Sequence, residues 1–251
     1  MAHRTFAIGD IHGDLEHLNL LLGKLPAIDG EDTVVFLGDY LDRGPRSKEV
    51  IQIVRALDHL VGCNVICLRG NHEDAWLRVL DRGWPEFVLP PVNGCLATMR
   101  SFTGGAVVAE DEAPSQEEWT QLFAGSFFPD DIVAWMKTLP DYYEDDHAIY
   151  VHAGLHERAG AFVHPRDTDP KAALFWTRSE EFFRNYRGKR VVVGHTKTTL
   201  LPPELSSYTV HDPTDLWAGE NVVAIDTGCG KGGFLTAVEF PACVVYESRT
   251  R

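Results

Sequence analysis

Short apolar runs alternate with amphipathic segments along the first quarter of the chain. Apolar runs of this length are typical of buried strands, and the segments between them repeat leucine, isoleucine and valine at helical spacing. Asp14 and Ser47 are candidate N-caps for the two helices. The pattern predicts strands over 6–8, 33–37 and 64–68 and helices over 15–24 and 48–61. This β-α-β-α-β order predicts neighbouring parallel strands joined by right-handed crossovers.

The segment from about 74 to 146 lacks this alternation. Tryptophans and prolines interrupt it, and helical periods recur over 74–82, 115–124 and 129–138. We expect an inserted helical cap that is continuous with the surrounding fold. Beyond it the pattern predicts strands over 148–151, 190–193, 221–225, 234–238 and 242–246, with a partly helical stretch over 172–186. The whole chain, 1–251, is predicted to form a single α/β domain.

Composition narrows the class of partner. The chain has 23 Lys and Arg against 37 Asp and Glu, which gives a formal net charge of −14. So acidic a chain lacks the basic face that duplex nucleic acid requires, and no apolar run is long enough to span a membrane. The N-terminus enters strand-like sequence almost at once, so no signal peptide is predicted. Five cysteines without a C-x-x-C pair favour a cytoplasmic protein with free thiols, and we expect a monomer.

Residues that bind metal ions follow five of the predicted strands. In open α/β sheets the carboxyl ends of strands form ligand sites, so these five endings are expected to meet. Each has an ordinary alternative: a histidine can bond a backbone carbonyl, and the stretch 38–44 can be a solvated turn with an internal ion pair. Together they predict a site of oxygen and nitrogen ligands. The residues are Asp10 with His12, Asp39, Asn71, His152 and His195.

Five motifs, in this order along residues 9–196, resemble the signature of the metallophosphoesterase superfamily. They are Gly9-Asp10-Ile11-His12-Gly13, Gly38-Asp39-Tyr40-Leu41-Asp42-Arg43-Gly44, Gly70-Asn71-His72-Glu73, His152-Ala153-Gly154 and Gly194-His195. They are most similar to the phosphoprotein phosphatase (PPP) family, which includes bacterial and lambda-phage-type serine/threonine protein phosphatases. The resemblance implies an α/β fold, a calcineurin-like β-sandwich of two mixed sheets flanked by helices.

The resemblance also implies a dinuclear metal centre. One ion would be held by Asp10, His12 and Asp39. The other would be held by Asp39, as a bridging ligand, together with Asn71, His152 and His195. Such ligands suit two divalent ions, with Mn²⁺ preferred and Fe or Zn²⁺ as alternatives. A hydroxide held between the two ions would attack phosphorus directly, so no phosphoenzyme is expected.

Further roles follow from the same resemblance. His72 would be the general acid that protonates the leaving oxygen, and Asp42 would orient its imidazole ring. Arg43 would bind the phosphoryl oxygens, with Asn71 beside the same phosphate. Arg178, in a Phe-Trp-Thr-Arg stretch, resembles a second phosphate-binding arginine. Its alternative is an ordinary exposed arginine on a helix.

The implied function is a metal-dependent phosphomonoesterase, a serine/threonine protein phosphatase that acts on a phosphorylated protein or a small phosphoester. The alternative is a symmetrical dinucleoside-polyphosphate hydrolase or an RNA-decapping relative. That branch often lacks Asp42 and has aspartate in place of Glu73, so these residues rank it second. A non-catalytic scaffold ranks third because it would have lost His72 or several ligands. Asp226 ends a strand but has no ligand role in the family pattern, so it is interpreted as structural.

Overall fold

The computed structural model describes residues 3–109, 112–208 and 212–250. Their β-strands are β1 Thr5–Ile8, β2 Thr33–Phe36, β3 Asn64–Cys67, β4 Tyr142–Glu144, β5 Ile149–Val151, β6 Glu157–Arg158, β7 Ala161–Phe162, β8 Val191–Val193, β9 Trp217–Ala218, β10 Val222–Ala224, β11 Thr236–Phe240 and β12 Val244–Glu247. Their α-helices are α1 Leu15–Leu22, α2 Ser47–Val61, α3 Asn71–Arg82, α4 Pro85–Val88, α5 Cys95–Thr103, α6 Gln116–Ala124, α7 Asp130–Thr138, α8 Ala173–Trp176 and α9 Glu180–Asn185.

The strands form two mixed sheets. The first has the order β12-β11-β1-β2-β3 and the second the order β4-β5-β8-β10-β9, while β6 and β7 form a hairpin. In the first sheet β1, β2 and β3 are parallel, and β11 and β12 join them antiparallel. In the second sheet β5, β8 and β10 are parallel, with an antiparallel strand at each edge. The predicted parallel core of the first half and the two-sheet architecture are confirmed.

Side chains that point alternately to the two faces of each sheet form the layers of the fold. Ala7 of β1 belongs to the apolar core between the sheets, where it joins Val35 of β2 and Val192 of β8. Its neighbours Phe6 and Ile8 belong to a separate core under the helices. Successive side chains of a strand point to opposite faces, so each central strand contributes to two cores. Helices α8 and α9 cover the outer face of the second sheet in the same way.

Helix ends follow the capping residues in part. Asp14 caps α1 as predicted, because its carboxylate accepts a 3.1 Å hydrogen bond from the backbone N–H of His17. The prediction that Ser47 is an N-cap is wrong. Ser47 is the first helical residue of α2, and its hydroxyl accepts a bond from the backbone N–H of Asp42. Helix α3 begins at Asn71, three residues before its predicted start.

The segment between β3 and β4 is helical, as its sequence period indicates. Helices α6 and α7 match their predicted ranges within one residue at the start of each. Helices α4 and α5 were not predicted, and they flank a short 3₁₀-helix over Pro91–Asn93. In the described part of the chain, no helix has the length and apolar character needed to cross a bilayer.

Candidate metal centre and phosphate site

The predicted ligands directly follow β1, β2, β3, β5 and β8, and all lie on loops except Asn71, which is the first residue of α3. Both sheets thus contribute to one site at the carboxyl ends of their parallel strands. Each of the six side chains belongs to a residue at most 5% exposed. Three of them, His12, Asp39 and His195, have left-handed backbones with φ of 52°, 55° and 64°. Such conformations are strained for residues other than glycine and cluster at functional sites.

The first group of ligands surrounds Nε2 of His12. This atom lies 3.3 Å from Oδ2 of Asp39 and 3.8 Å from Oδ2 of Asp10. The other ring nitrogen of His12 bonds the carbonyl of Leu41 at 2.9 Å, which places the proton there and the lone pair on Nε2, the atom that would bind a cation. The guanidinium of Arg43 contacts the same Nε2 atom. The structure therefore brings together the three residues expected to hold one ion.

The second group surrounds the side-chain oxygen of Asn71. This oxygen lies 3.0 Å from Nε2 of His152 and 2.8 Å from Nδ1 of His195. Nε2 of His152 is also 3.4 Å from Oδ1 of Asp39, so the two oxygens of Asp39 face different groups. A bridging ligand needs this placement. Nε2 of His195 is buried without a hydrogen-bond partner among the described residues.

Burial sets the charges of these groups. It lowers the pKa of His12, His152 and His195, which favours the neutral form of the ring that binds a metal ion. It raises the pKa of Asp10, to which the nearby Asp226 and Asp39 carboxylates add. Burial also opposes ionisation of Asp39, yet the surrounding histidines and Arg43 hold its pKa well below the ordinary range. Buried carboxylates beside neutral imidazoles are a donor set that fits divalent cations.

His72 lies between the ligands and a buried carboxylate. Its Nδ1 is 2.6 Å from Oδ2 of Asp42, and its Nε2 is 3.9 Å from Oδ2 of Asp39. Nε2 therefore faces the metal-ligand cluster. His12, Asp39 and His72 themselves form a trio whose donor atoms all lie within 4.8 Å of one another. The geometry is that of an oriented imidazole whose free nitrogen can exchange a proton with a substrate.

Sequence reasoning missed the residues that hold Asp42. Trp76 is fully buried, and its indole N–H lies 3.0 Å from both carboxylate oxygens of Asp42. Thr98 of α5 accepts a 2.8 Å bond from the backbone N–H of Asp42. Trp76 follows His72 by four positions, on the same face of α3, but the helix predicted from the sequence begins at 74 and leaves His72 outside it. The signal for Thr98 was absent, since α5 was not predicted.

Glu73 connects the loops after β2 and β3. Its carboxylate accepts bonds from the backbone N–H groups of Asp39, Tyr40 and Gly70, at 2.9, 2.9 and 3.0 Å. The last of these explains why α3 starts at Asn71. Burial, followed by the charge of Asp39, raises the pKa of Glu73 to about 8. Through these three bonds Glu73 holds the backbone of Asp39, the predicted bridging ligand, in place.

The two predicted phosphate-binding arginines differ in environment. Arg43 is half-buried between His12 and the start of α5. Arg178 is exposed and donates to the carbonyl of His195 at 3.2 Å and to the hydroxyl of Thr196 at 3.3 Å. It is exposed, as the alternative expects, but it lies in the loop between α8 and α9 and not on a helix. Both guanidinium groups border the ligand cluster.

A further cation, absent from the sequence prediction, lies on this border. Nζ of Lys231 is 3.8 Å from the buried Oδ2 of Asp226, whose other oxygen accepts a 3.0 Å bond from the N–H of Gly228. Asp226 makes no contact of its own with the ligand histidines in the described hydrogen bonds. The sequence signal for this loop was its glycine-rich stretch, 228–233. In the structure Gly230 of that stretch packs directly on His12.

The fold and this site define a metal-dependent phosphoesterase. The family model for calcineurin-like phosphoesterases matches residues 3–198, and the chain belongs to this family. It is therefore a phosphoesterase hydrolase of a family that uses divalent metal ions. The predicted superfamily is confirmed.

The chain is also similar to individual proteins of known name and to solved structures. A symmetrical bis(5'-nucleosyl)-tetraphosphatase of Neisseria gonorrhoeae is 28% identical over 276 residues, which cover 95% of this chain and 92% of the relative. The enzyme of that name from Janthinobacterium is 28% identical over 151 residues, 60% of this chain but only 43% of the relative. A protein serine/threonine phosphatase structure from Saccharomyces cerevisiae superposes with a TM-score of 0.51 at 18% identity, over 94% of this chain and 72% of that one, which shows the shared fold.

Proposed function

We propose that this protein hydrolyses symmetrical dinucleoside tetraphosphates, which a central cleavage would convert into two nucleoside diphosphates. The observation that carries the proposal is the similarity to the Neisseria tetraphosphatase along almost the whole of both chains. The motifs alone rank a serine/threonine protein phosphatase first. The relatives favour the alternative, so we reverse that ranking.

The ligand geometry supports two cation positions. Asp10, His12 and Asp39 would hold one ion. Asp39, Asn71, His152 and His195 would hold the other, because the side-chain oxygen of Asn71 lies 3.0 Å from Nε2 of His152 and 2.8 Å from Nδ1 of His195. Bound divalent ions would polarise the phosphoryl group and supply a nucleophile at neutral pH. Mn²⁺, Fe and Zn²⁺ all match these donors.

Side chains of the protein would bind the phosphate and transfer the proton. Arg43 and Arg178 would bind phosphoryl oxygens, which planar guanidinium groups do well. His72 would give a proton from Nε2 to the leaving oxygen, while Asp42 accepts the Nδ1–H bond and stabilises the charged ring. Trp76 would keep Asp42 in the orientation that serves His72.

A phosphomonoesterase that acts on phosphoproteins is the second candidate. The observation in its favour is the 2.6 Å contact between Asp42 and His72, because Asp42 is the residue that often distinguishes that branch. The two candidates require different leaving groups, a nucleoside diphosphate or a side-chain alkoxide.

Product analysis after reconstitution with Mn²⁺ separates the candidates. We expect diadenosine tetraphosphate to give only ADP, faster than phosphoserine, phosphothreonine or phosphotyrosine peptides release phosphate. Faster phosphopeptide hydrolysis, or release of ATP with AMP, would overturn the proposal. His72→Asn is expected to lower kcat roughly 10²- to 10⁴-fold while the bound metal, measured by elemental analysis, is retained.

A further inference from the structure

A cavity of about 620 Å³ opens beside the ligand cluster. Arg43 and Lys231 lie at one end of it, together with Gly230, whose backbone packs on His12. Arg43 itself contacts His12, so this end of the cavity is continuous with the proposed phosphate site. The volume is within the range of about 300–1,000 Å³ that is usual for small-molecule sites.

The far walls of the cavity are apolar. They come from the segment that runs from the end of α4 into α6, and they include Leu89, Val92, Leu96 and Trp119. Leu89 is 50% exposed and Val92 is 77% exposed, so two large apolar side chains border the opening without being covered by the described part of the chain. Exposed apolar surface in a concave site is typical of ligand-binding grooves.

Charge is distributed unevenly around this cavity. Among the described lining residues the charged side chains are Arg43, Lys231 and Glu112. The carboxylate of Glu112 is engaged, because it bonds Arg100 at 2.5 Å and accepts a 2.8 Å bond from the N–H of Ala109. Two cationic side chains therefore lie at the end of the cavity beside the ligand cluster, and apolar walls with one indole ring lie beyond them.

We propose, on the basis of the proposed function, that this cavity binds one nucleoside of the substrate. A nucleoside diphosphate has an anionic end and a flat heteroaromatic end, and the cavity offers cations and apolar walls in the same order. Arg43 and Lys231 bind the phosphates next to the scissile bond. The base lies among Leu89, Leu96 and Trp119, where an aromatic ring can stack on it. A phosphorylated side chain alone would leave these walls unused.

The test narrows the cavity at a site that tolerates a larger side chain. Ala113 lines the cavity and is exposed, so Ala113→Trp occupies space in the cavity with little effect on the core. Ala124, also exposed but outside the cavity lining, gives the matched control Ala124→Trp. A second pair is Leu89→Asp with Leu20→Asp, since Leu20 is 44% exposed on α1. Thermal melts show that each variant is folded.

The measured quantity is the ratio of kcat/KM for the two substrates below, because a general loss of activity lowers both values and cancels in the ratio. For each variant, kcat/KM is measured with diadenosine tetraphosphate and with p-nitrophenyl phosphate, which lacks a nucleoside. We expect the ratio to fall about tenfold or more in Ala113→Trp and Leu89→Asp, and to stay within about twofold in the two controls. An unchanged ratio in both cavity variants overturns this inference while leaving the proposed function intact.

A different result separates the two proposals. If the wild-type protein hydrolyses p-nitrophenyl phosphate but not diadenosine tetraphosphate, the proposed function fails. Inhibition of p-nitrophenyl phosphate hydrolysis by ADP then decides the nucleoside site. Inhibition that weakens about tenfold or more in Ala113→Trp, but not in Ala124→Trp, supports it. Equal inhibition of both variants, or none of the wild type, overturns it.

Discussion

Replacement of Gly94 by alanine tests whether α5 positions the phosphate-binding loop. Gly94 precedes α5 with φ of 75°, and an added Cβ would lie 2.1 Å from the backbone nitrogen of Arg43 and 2.3 Å from its Cα. Ordinary carbon contacts are about 3.5–4.0 Å, so the Arg43 backbone has to move by more than about 1 Å. Gly104, at the other end of α5, has φ of 77° and no atom within 4 Å of its added Cβ.

The two glycines therefore form a matched pair. In both, alanine costs about 1–2 kcal/mol for the left-handed conformation, which is roughly 2–8 °C in Tm for a chain of this size. Only Gly94→Ala also displaces Arg43, and a misplacement of about 1 Å in a site can cost roughly 10²-fold in rate. We expect Gly104→Ala to keep kcat/KM within about twofold and Gly94→Ala to lose about 10- to 100-fold.

Steady-state kinetics with p-nitrophenyl phosphate and thermal melts of both variants provide the comparison. Inhibition by inorganic phosphate, a direct probe of the Arg43 site, should weaken in Gly94→Ala alone. If both variants lose activity equally, or if Gly94→Ala binds phosphate as the wild type does, then α5 does not position Arg43 and the reasoning fails.

Three other outcomes are expected. Trp76→Phe removes the indole donor to Asp42 and should cost about 1.5–3 kcal/mol in urea unfolding together with a lower kcat; an unchanged kcat would show that Asp42 does not need this bond. Burial opposes ionisation of Asp32, yet its bonds to Arg4 hold its pKa below the ordinary 3.8. The pair therefore stabilises the fold above about pH 4 and less as pH falls further, so the stability deficit of Arg4→Met should shrink between pH 7 and pH 3. Mn²⁺ should raise the Tm of chelator-treated protein, and His152→Ala should reduce that rise; equal rises would remove His152 from the ligands.

The first half of the fold was predictable because its signals are local. The runs at 6–8, 33–37 and 64–68 are short and mainly apolar, and β1, β2 and β3 lie within them or one residue outside. The second half was less predictable. The edge strands β4 and β9 are two or three residues long, and they exist because neighbouring strands offer backbone partners. No local pattern specifies such pairing.

The candidate site divides in the same way. Strand-end motifs place Asp39 and His152 at one edge of the sheets, and the structure brings them to 3.4 Å. Trp76, Thr98 and Lys231 act through contacts across long separations in the chain, such as the 56 positions between Asp42 and Thr98. Such contacts depend on how α5 and the 228–233 loop pack, which a single sequence does not reveal.

The predicted metal ligands come from both sheets and from distant parts of the chain. Asp10, Asp39 and Asn71 belong to the first 71 residues, whereas His152 and His195 arrive with the second sheet. The second group is therefore complete only when the sheets have docked, as shown by the Asn71 oxygen between the two histidines. A metal ion bound by residues of both sheets would stabilise the packing of one sheet against the other. Two fragments of this chain, one carrying the ligands of each sheet, should then associate more tightly with metal than without it. Metal binding would therefore depend on association of the two sheets.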